Sequence, residues 1–297
     1  MPKTLIVLLG PTAVGKTDIS ISLAKTINTE IISCDSRQFY NELNIGTAKP
    51  SANQLNEIKH HFIGNISIHD YYNVSKFEGE ALEKLNEIFK VSEYAVMVGG
   101  SGLYIDAVCQ GIDDLPEIDK ELRTQILERF EKEGLESLRI ELKRLDPEYY
   151  AIVDLKNKNR MLRAVETTLQ TGKTYSSFRT SKKVERDFNV IKIGLNFDRE
   201  ALYERINLRV DLMIEAGLIE EAKAFFQYKN LNALNTVGYK ELFSHFENEY
   251  SLEKAIELIK RNTRHYAKKQ LTWFGRYDDI NWFEPIRFSD ILKFLNI

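Results

Sequence analysis

The sequence predicts an α/β fold, a core built on a mainly parallel sheet with an inserted helical domain. Three observations point there. An unbroken apolar run at 5–9 and short apolar-rich runs at 30–34, 94–98 and 190–195 give the pattern of strands buried on both faces. Segments of helical periodicity separate the first three, giving the strand–helix–strand order of parallel sheets. From 120 to 183 the chain keeps helical periodicity and many charges but offers no convincing strand.

In chain order, Leu5–Leu9 (LIVLL) is the first buried strand, followed by a glycine-rich turn and a helix over about 16–27. Glu30–Cys34 (EIISC) is the second strand. Phe77–Phe89 is amphipathic, with Phe77, Ala81, Leu82, Leu85, Ile88 and Phe89 on one face. Tyr94–Val98 (YAVMV) is the third strand. The character changes near Gly111–Asp119, and Val190–Leu195 (VIKIGL) resumes the sheet. The rest is mostly helical to Gly275, then a short aromatic stretch and a small amphipathic segment. The expected division is 1–112 for the first part of the core, 113–189 for the helical insertion, and 190–297 for the return to the core.

Composition narrows the function classes. The 297 residues suffice for roughly two domains at about 150 each. With 43% hydrophobic and 29% charged residues the chain is globular rather than disordered. Its 41 basic and 44 acidic residues leave a net charge of −3, so any polyanion site must come from local basic clusters. Two distant cysteines, Cys34 and Cys109, exclude a disulfide framework and a cysteine zinc site. No apolar run approaches the about eighteen residues of a membrane span, and the apolar start is too short for a signal peptide. A cytoplasmic enzyme without a membrane partner is expected.

Gly10-Pro11-Thr12-Ala13-Val14-Gly15-Lys16-Thr17 fits the phosphate-loop pattern G-x-x-x-x-G-K-[ST] between a strand and a helix. Its glycines let successive backbone N–H groups converge on phosphate oxygens, and the helix N-terminus adds a positive dipole end. Lys16 supplies a point charge, and the Thr17 hydroxyl can ligate Mg²⁺. The pattern specifies a phosphate-bearing ligand without specifying ATP hydrolysis.

Ligands of open α/β sheets collect beyond the carboxyl ends of the strands. Asp35-Ser36 and Gly99–Gly102 should therefore meet the loop on one rim. Asp35 can be a Mg²⁺ carboxylate, a general base or a helix cap. Gly99–Gly102 reads equally as room for a ligand or as a tight turn with Ser101 as cap. Arg205 and Arg209, four apart, share a helix face suited to phosphate or to solvent. His60-His61 reads as a packed pair rather than a metal site. Two basic clusters break the neutral balance: Lys156–Arg160 with Arg163, and Lys260, Arg261, Arg264, Lys268, Lys269 and Arg276 interleaved with His265, Tyr266, Trp273 and Phe274. Basic residues among aromatics suit either a nucleic acid or a solvated face.

Taken together, GPTAVGKT, SCDSRQFYNELNIGTAKP (33–50), HHFIG (60–64), GGSGLYIDAV (99–108), NRMLRAVE (159–166), RINLRVDLMIEAGL (205–218), GYKE (238–241) and TRHYAKKQLTWF (263–274) resemble the bacterial tRNA dimethylallyltransferases. The resemblance spans nearly the whole chain in order. It implies a P-loop kinase-like core whose helical insertion helps to hold a tRNA anticodon stem-loop. It implies transfer of the dimethylallyl group of dimethylallyl diphosphate to N6 of the adenine at tRNA position 37, with Mg²⁺ as cofactor; the family's phosphate loop is also described as an ATP site. By motif, Asp35 orients or deprotonates the adenine amine, Gly10–Thr17 cradles the diphosphate, Thr17 is the Mg²⁺-side hydroxyl, and Lys16 and Arg209 neutralise the leaving group. Asp35, Ser36, Arg37, Gln38, Ser101, Arg123, Asn159, Arg160, Met161, Leu162 and Arg163 match positions that touch the tRNA, and a monomer is expected. Ser101 stands in place of the usual Thr, Gly64 of an Asp and His265 of a Gln, and the C-terminal zinc finger of eukaryotic relatives is absent. A free-adenylate isopentenyltransferase, a small-molecule P-loop kinase and a non-catalytic RNA-binding protein are the competing readings.

Overall fold

The computed structural model describes residues 3–117, 119–180 and 183–297, and its contacts group into two compact units. One holds the chain up to Gln110 and from Glu185 onward; the other is Gly111–Val184. The first unit opens with β1 (Thr4–Leu9), α1 (Lys16–Thr26), β2 (Ile31–Cys34), α2 (Ala52–Glu57), β3 (His60–His61), α3 (Val74–Ile88), β4 (Tyr94–Gly99) and α4 (Gly102–Gln110). The second unit is helical: α5 (Lys120–Glu133), α6 (Leu135–Leu145), α7 (Pro147–Ile152), α8 (Lys158–Thr171) and α9 (Tyr175–Phe178). The chain returns with β5 (Asn189–Leu195), α10 (Arg199–Glu215), α11 (Leu218–Ala224), α12 (Tyr239–Phe246), α13 (Leu252–Phe274), β6 (Ile280–Phe283) and α14 (Phe288–Leu295).

Six strands form one sheet in the order β3-β2-β4-β1-β5-β6, with every neighbouring pair parallel. The unbroken apolar run of β1 has a simple cause. Alternate side chains leave opposite faces of a strand, and both faces here are covered. Leu5, Val7 and Leu9 pack with Phe77, Ala81 and Leu85 of α3 and with Ile105 and Val108 of α4. Ile6 and Leu8 pack with Ile19, Leu23 and Ala24 of α1 and with Leu202 and Ile206 of α10. On α3 the expected amphipathic face is buried, and the helix starts one turn earlier, where the Asn73 side chain accepts from Lys76 N.

Two strands differ from the sequence expectation. β3 is the His60–His61 pair itself, too short to leave a periodicity, and β6 is the aromatic stretch near the end. Both lie at sheet edges, where half-exposed residues do not form an apolar run. Residues 185–189, expected in the insertion, group with the sheet: Arg186 donates to Val108 O at 3.0 Å and pairs with Glu78 at 2.6 Å. The helical unit has its own core of Ile126, Leu138, Leu142, Tyr149, Met161, Leu162, Ala164 and Val165. Among the described residues no helix is long and apolar enough to cross a membrane.

Register places the site. Leu9 pairs with both Gly99 and Gly194, and Cys34 also pairs with Gly99, so β1, β2 and β4 end level. The loops that follow them leave one edge together. Their crowding explains two glycines. A Cβ on Gly10, whose φ is +149°, would lie 2.4 Å from Leu195 O, and one on Gly99 would lie 2.0 Å from Cys34 O.

Candidate active site

The loop between β1 and α1 curls through positive φ at Gly10, Ala13 (+64°) and Gly15 (+96°) at the head of α1, the kind of backbone whose N–H groups can gather around an anion. Lys16 Nζ donates to Gly10 O at 3.0 Å and Pro11 O at 2.7 Å. Burial pulls the Lys16 pKa down to about 8; the Asp35 carboxylate opposes that fall and Arg209 adds to it. Two arginines of α10 close over the loop: Arg205 Nε donates to Ala13 O at 2.9 Å, and Arg209 Nη1 to Thr12 Oγ1 at 3.3 Å. Burial also lowers the Arg209 pKa, with Asp35 opposing and Arg205 adding. A guanidinium stays charged nonetheless, so Arg209 is a desolvated fixed cation one turn along the helix from Arg205.

Asp35 sits where β2 ends. Its Oδ1 accepts from Arg37 N at 3.0 Å, an Asx-type turn that fixes the carboxylate. Next to it, Ser36 N donates to Ser101 Oγ at 3.1 Å and the two hydroxyls lie 3.2 Å apart, which ties the β2 and β4 loops together.

Two cavities open on this edge. One of about 380 Å³ holds the phosphate loop with Gln38, Thr47, Arg205 and Gln270. The other, of about 500 Å³, holds Ser36, Arg37, Lys240, Tyr266 and Lys269. Thr12, Asp35, Thr47, Ala48 and Arg209 line both. The Asp35 carboxylate and the half-buried Arg209 cation therefore stand at the partition between the hollow lined by the loop 10–17 and a second, larger one.

Several residues expected to contact RNA also form bonds within the protein. Arg37 reaches the carbonyls of Asn232 (2.7 Å), Ala233 (3.3 Å) and Asn235 (3.4 Å). Gln38 Nε2 donates to Thr47 O at 3.2 Å and Ala48 O at 3.0 Å, so both amide hydrogens brace the loop that walls the two cavities. In the helical unit Met161 and Leu162 are 0% and 3% exposed. Direct RNA contact by these two is corrected by their burial, because they hold α8 in its core. Arg163 Nη2 donates to Pro116 O at 2.6 Å and Arg123 pairs with Glu166 at 3.3 Å, so both brace that unit. Asn159 and Arg160 are exposed at the start of α8. His60 Nδ1 meets Ile58 O at 2.8 Å and His61 Nε2 meets Glu30 at 2.6 Å, as a packed pair should.

Two supporting residues were given no role from the sequence, Gln270 although it lies inside the 263–274 motif and Glu221 with no motif around it. Gln270 on α13 accepts from Thr12 N at 2.9 Å and donates to Gly100 O at 3.0 Å. Glu221 on α11 accepts from the amides of Asn44, Ile45 and Gly46 at 2.8–3.0 Å and from Tyr239 OH at 2.6 Å, pinning the loop that carries Thr47 and Ala48. A glycine is needed at 46 because a Cβ there would lie 2.5 Å from the Tyr239 ring.

Among the described residues no cluster of three or more His, Cys, Asp or Glu side chains is placed to cage a metal ion. The oxygens of Thr17 and Asp35 line the phosphate hollow, a hard-donor set that fits Mg²⁺ held jointly by one or two protein oxygens and phosphate.

The IPP transferase family pattern matches residues 38–277. A tRNA dimethylallyltransferase 1 of Bacteroides thetaiotaomicron is 52% identical over 294 residues, covering 99% of this chain and 96% of that one. A tRNA dimethylallyltransferase of Christiangramia forsetii is 54% identical over 284 residues, covering 96% and 94%. Among solved structures, the tRNA isopentenylpyrophosphate transferase of Bacillus halodurans superposes with a TM-score of 0.72 at 34% identity, covering 99% and 96%. A eukaryotic dimethylallyltransferase described as acting on tRNA superposes at 0.79 with 26% identity, covering 95% of this chain and 73% of that one.

Proposed function

The chain belongs to the IPP transferase family, and from that premise we propose that it transfers the dimethylallyl group of dimethylallyl diphosphate to N6 of adenosine 37 in the anticodon loop of a tRNA. The observation that carries the reading is that Asp35 and Arg209 line both cavities. One hollow has the loop, Lys16 and Arg205 for a diphosphate; the other has Lys240, Tyr266 and Lys269 for a nucleotide.

The residues divide the work. The loop N–H groups, Lys16 and Arg209 bind the diphosphate and stabilise the charge that grows as the C1–O bond breaks and its electron pair leaves with the phosphate oxygen. Asp35 accepts a hydrogen bond from the exocyclic amine, aims its lone pair at C1, and takes the N6 proton as the N–C bond forms. Thr17 would hold Mg²⁺, which when bound supplies further neutralisation of the diphosphate. A base can reach Asp35 only by leaving its stack, which single-stranded RNA loops permit at small cost. Asn159 and Arg160, exposed at the start of α8, are the residues of the helical unit that we assign to the stem-loop backbone.

The test is a prenyl-transfer assay with labelled dimethylallyl diphosphate and three acceptors: a tRNA anticodon stem-loop, AMP, and the same stem-loop with guanine at position 37. Label should enter only the first. Equal transfer to AMP would overturn the tRNA reading in favour of a free-nucleotide enzyme, and no transfer to any of them would overturn prenyl transfer itself.

A further inference from the structure

The second cavity contains an aromatic ring that the chemistry above does not use. Tyr266 lies on α13 and is 40% exposed. Burial and the Asp35 charge push the phenol pKa up, with Arg37 and a hydrogen bond with Ser101 opposing. The ring borders the cavity that also holds Asp35, Asn262 and Lys269. Among the described residues no other aromatic ring stacks on it.

The helix holds this ring at two fixed points. Asn262, Tyr266 and Gln270 are spaced i, i+4, i+8 and so share one face of α13. One turn before Tyr266, Asn262 Nδ2 donates to Glu241 Oε1 at 2.6 Å. One turn after it, Gln270 bridges Thr12 and Gly100. The stretch of helix that carries the ring is therefore anchored on either side before a ligand arrives.

Resting on the proposed prenyl transfer to tRNA, we infer that Tyr266 is the stacking surface for the acceptor adenine: the purine lies against the open ring face with its exocyclic amine at Asp35 and its sugar-phosphate directed to the exposed Lys269. The geometry is self-consistent. Tyr266 and Asp35 line one cavity, so a purine whose N6 reaches that carboxylate has the ring beside it. A stacked base replaces the neighbours it loses on leaving the anticodon loop. Every base has a π face, so the ring supplies affinity and pose, while discrimination for adenine stays with Asp35.

The experiment measures binding of two anticodon stem-loops, one with adenine at the acceptor position and one abasic there, to wild type, Tyr266→Phe and Tyr266→Ala. Affinity for dimethylallyl diphosphate is measured on each as the check of an intact site. Stacking of one base is worth about 1–3 kcal/mol by alanine substitution, so Tyr266→Ala should weaken the adenine stem-loop by between about fivefold and a hundredfold. It should leave the abasic stem-loop and the diphosphate unchanged. Tyr266→Phe keeps the ring and should bind both RNAs as wild type does. Equal weakening on the abasic RNA overturns the inference, because the ring then acts on the backbone or on the fold. A Phe variant as weak as the Ala variant also overturns it, assigning the effect to the hydroxyl near Ser101. Failure of the wild type to prefer the adenine stem-loop to the abasic one overturns base stacking directly, and failure of the wild type to prenylate it overturns the parent reading instead.

Discussion

Gln270 accepts a hydrogen bond from Thr12 N at 2.9 Å, although 258 positions separate the two, and it passes the constraint on by donating to Gly100 O at 3.0 Å. One buried amide on the last long helix thus sets the spacing between the phosphate loop and the loop after β4. There is no slack: a Cβ on Gly100 would lie 2.1 Å from Gln270 Nε2. Replacing Gln270 by Ala leaves a loop N–H and a carbonyl without their partner, at a cost of about 1–3 kcal/mol each where water cannot enter. The expected result is a lower melting temperature together with a raised KM for dimethylallyl diphosphate. A variant with wild-type KM would show that the loop keeps its shape without α13.

Asp35→Asn keeps the shape of the side chain, and its amide oxygen can still accept from Arg37 N. Only the negative charge and the proton-accepting lone pair are lost. Diphosphate binding should persist while kcat falls by at least about a hundredfold, the lower end for a positioned base. Restoration of most of the rate by raised Mg²⁺ would reassign Asp35 from base to metal carboxylate.

Lys16 gives a pH prediction with two opposite signs. Its pKa is about 8 in the folded chain against 10.5 for an ordinary lysine, because burial disfavours the charged form. Between these values the unfolded chain binds more protons at this residue than the folded one. Its contribution to stability therefore rises with pH through that window and is most unfavourable below pH 8. Binding runs the other way, since the diphosphate needs the ammonium form and its KM should rise as pH passes 8. Lys16→Met removes both effects. The check is a pair of pH series, thermal unfolding and diphosphate KM, on wild type and variant; parallel curves in both would show that Lys16 does not titrate there. At neutral pH the variant should have lost transfer altogether.

The parts of this molecule that were legible in the sequence are those written as periodicity or as dense local motifs. β1 shows as an unbroken apolar run because its two faces enter two cores, and the phosphate loop because eight consecutive residues make it. Asp35 follows from its place one residue beyond a buried strand. β3 and β6 left no such mark, since short edge strands bury too little to be apolar. Glu221 left none either, and the motif around Gln270 did not reveal its role, since both act through hydrogen bonds to loops 170 to 258 positions away. Arg37, Gln38, Arg123 and Arg163 look like free RNA ligands in a one-dimensional motif. Their partners are backbone carbonyls and a carboxylate distant in sequence, which only the folded chain brings near.

That distinction sharpens the last prediction, which concerns the two arginines of α8. Three apart, they share a helix face by spacing, but the structure gives them unequal surroundings. Arg160 is exposed beside the Asn157 cap, whereas Arg163 is half-buried and donates to Pro116 O. Arg160→Ala should raise the KM for an anticodon stem-loop, leave that for dimethylallyl diphosphate unchanged, and leave the melting temperature near wild type. Removing one phosphate contact should also flatten the salt dependence of RNA binding by about one unit of the log–log slope. Arg163→Ala should instead lower the melting temperature, because a carbonyl loses its donor. Its effect on RNA should shrink when the assay is run well below the transition. RNA and salt titrations on both variants, with unfolding curves alongside, separate a ligand for phosphate from a brace. Identical RNA defects at equal stability would show that both side chains reach the RNA and that the Pro116 contact yields on binding.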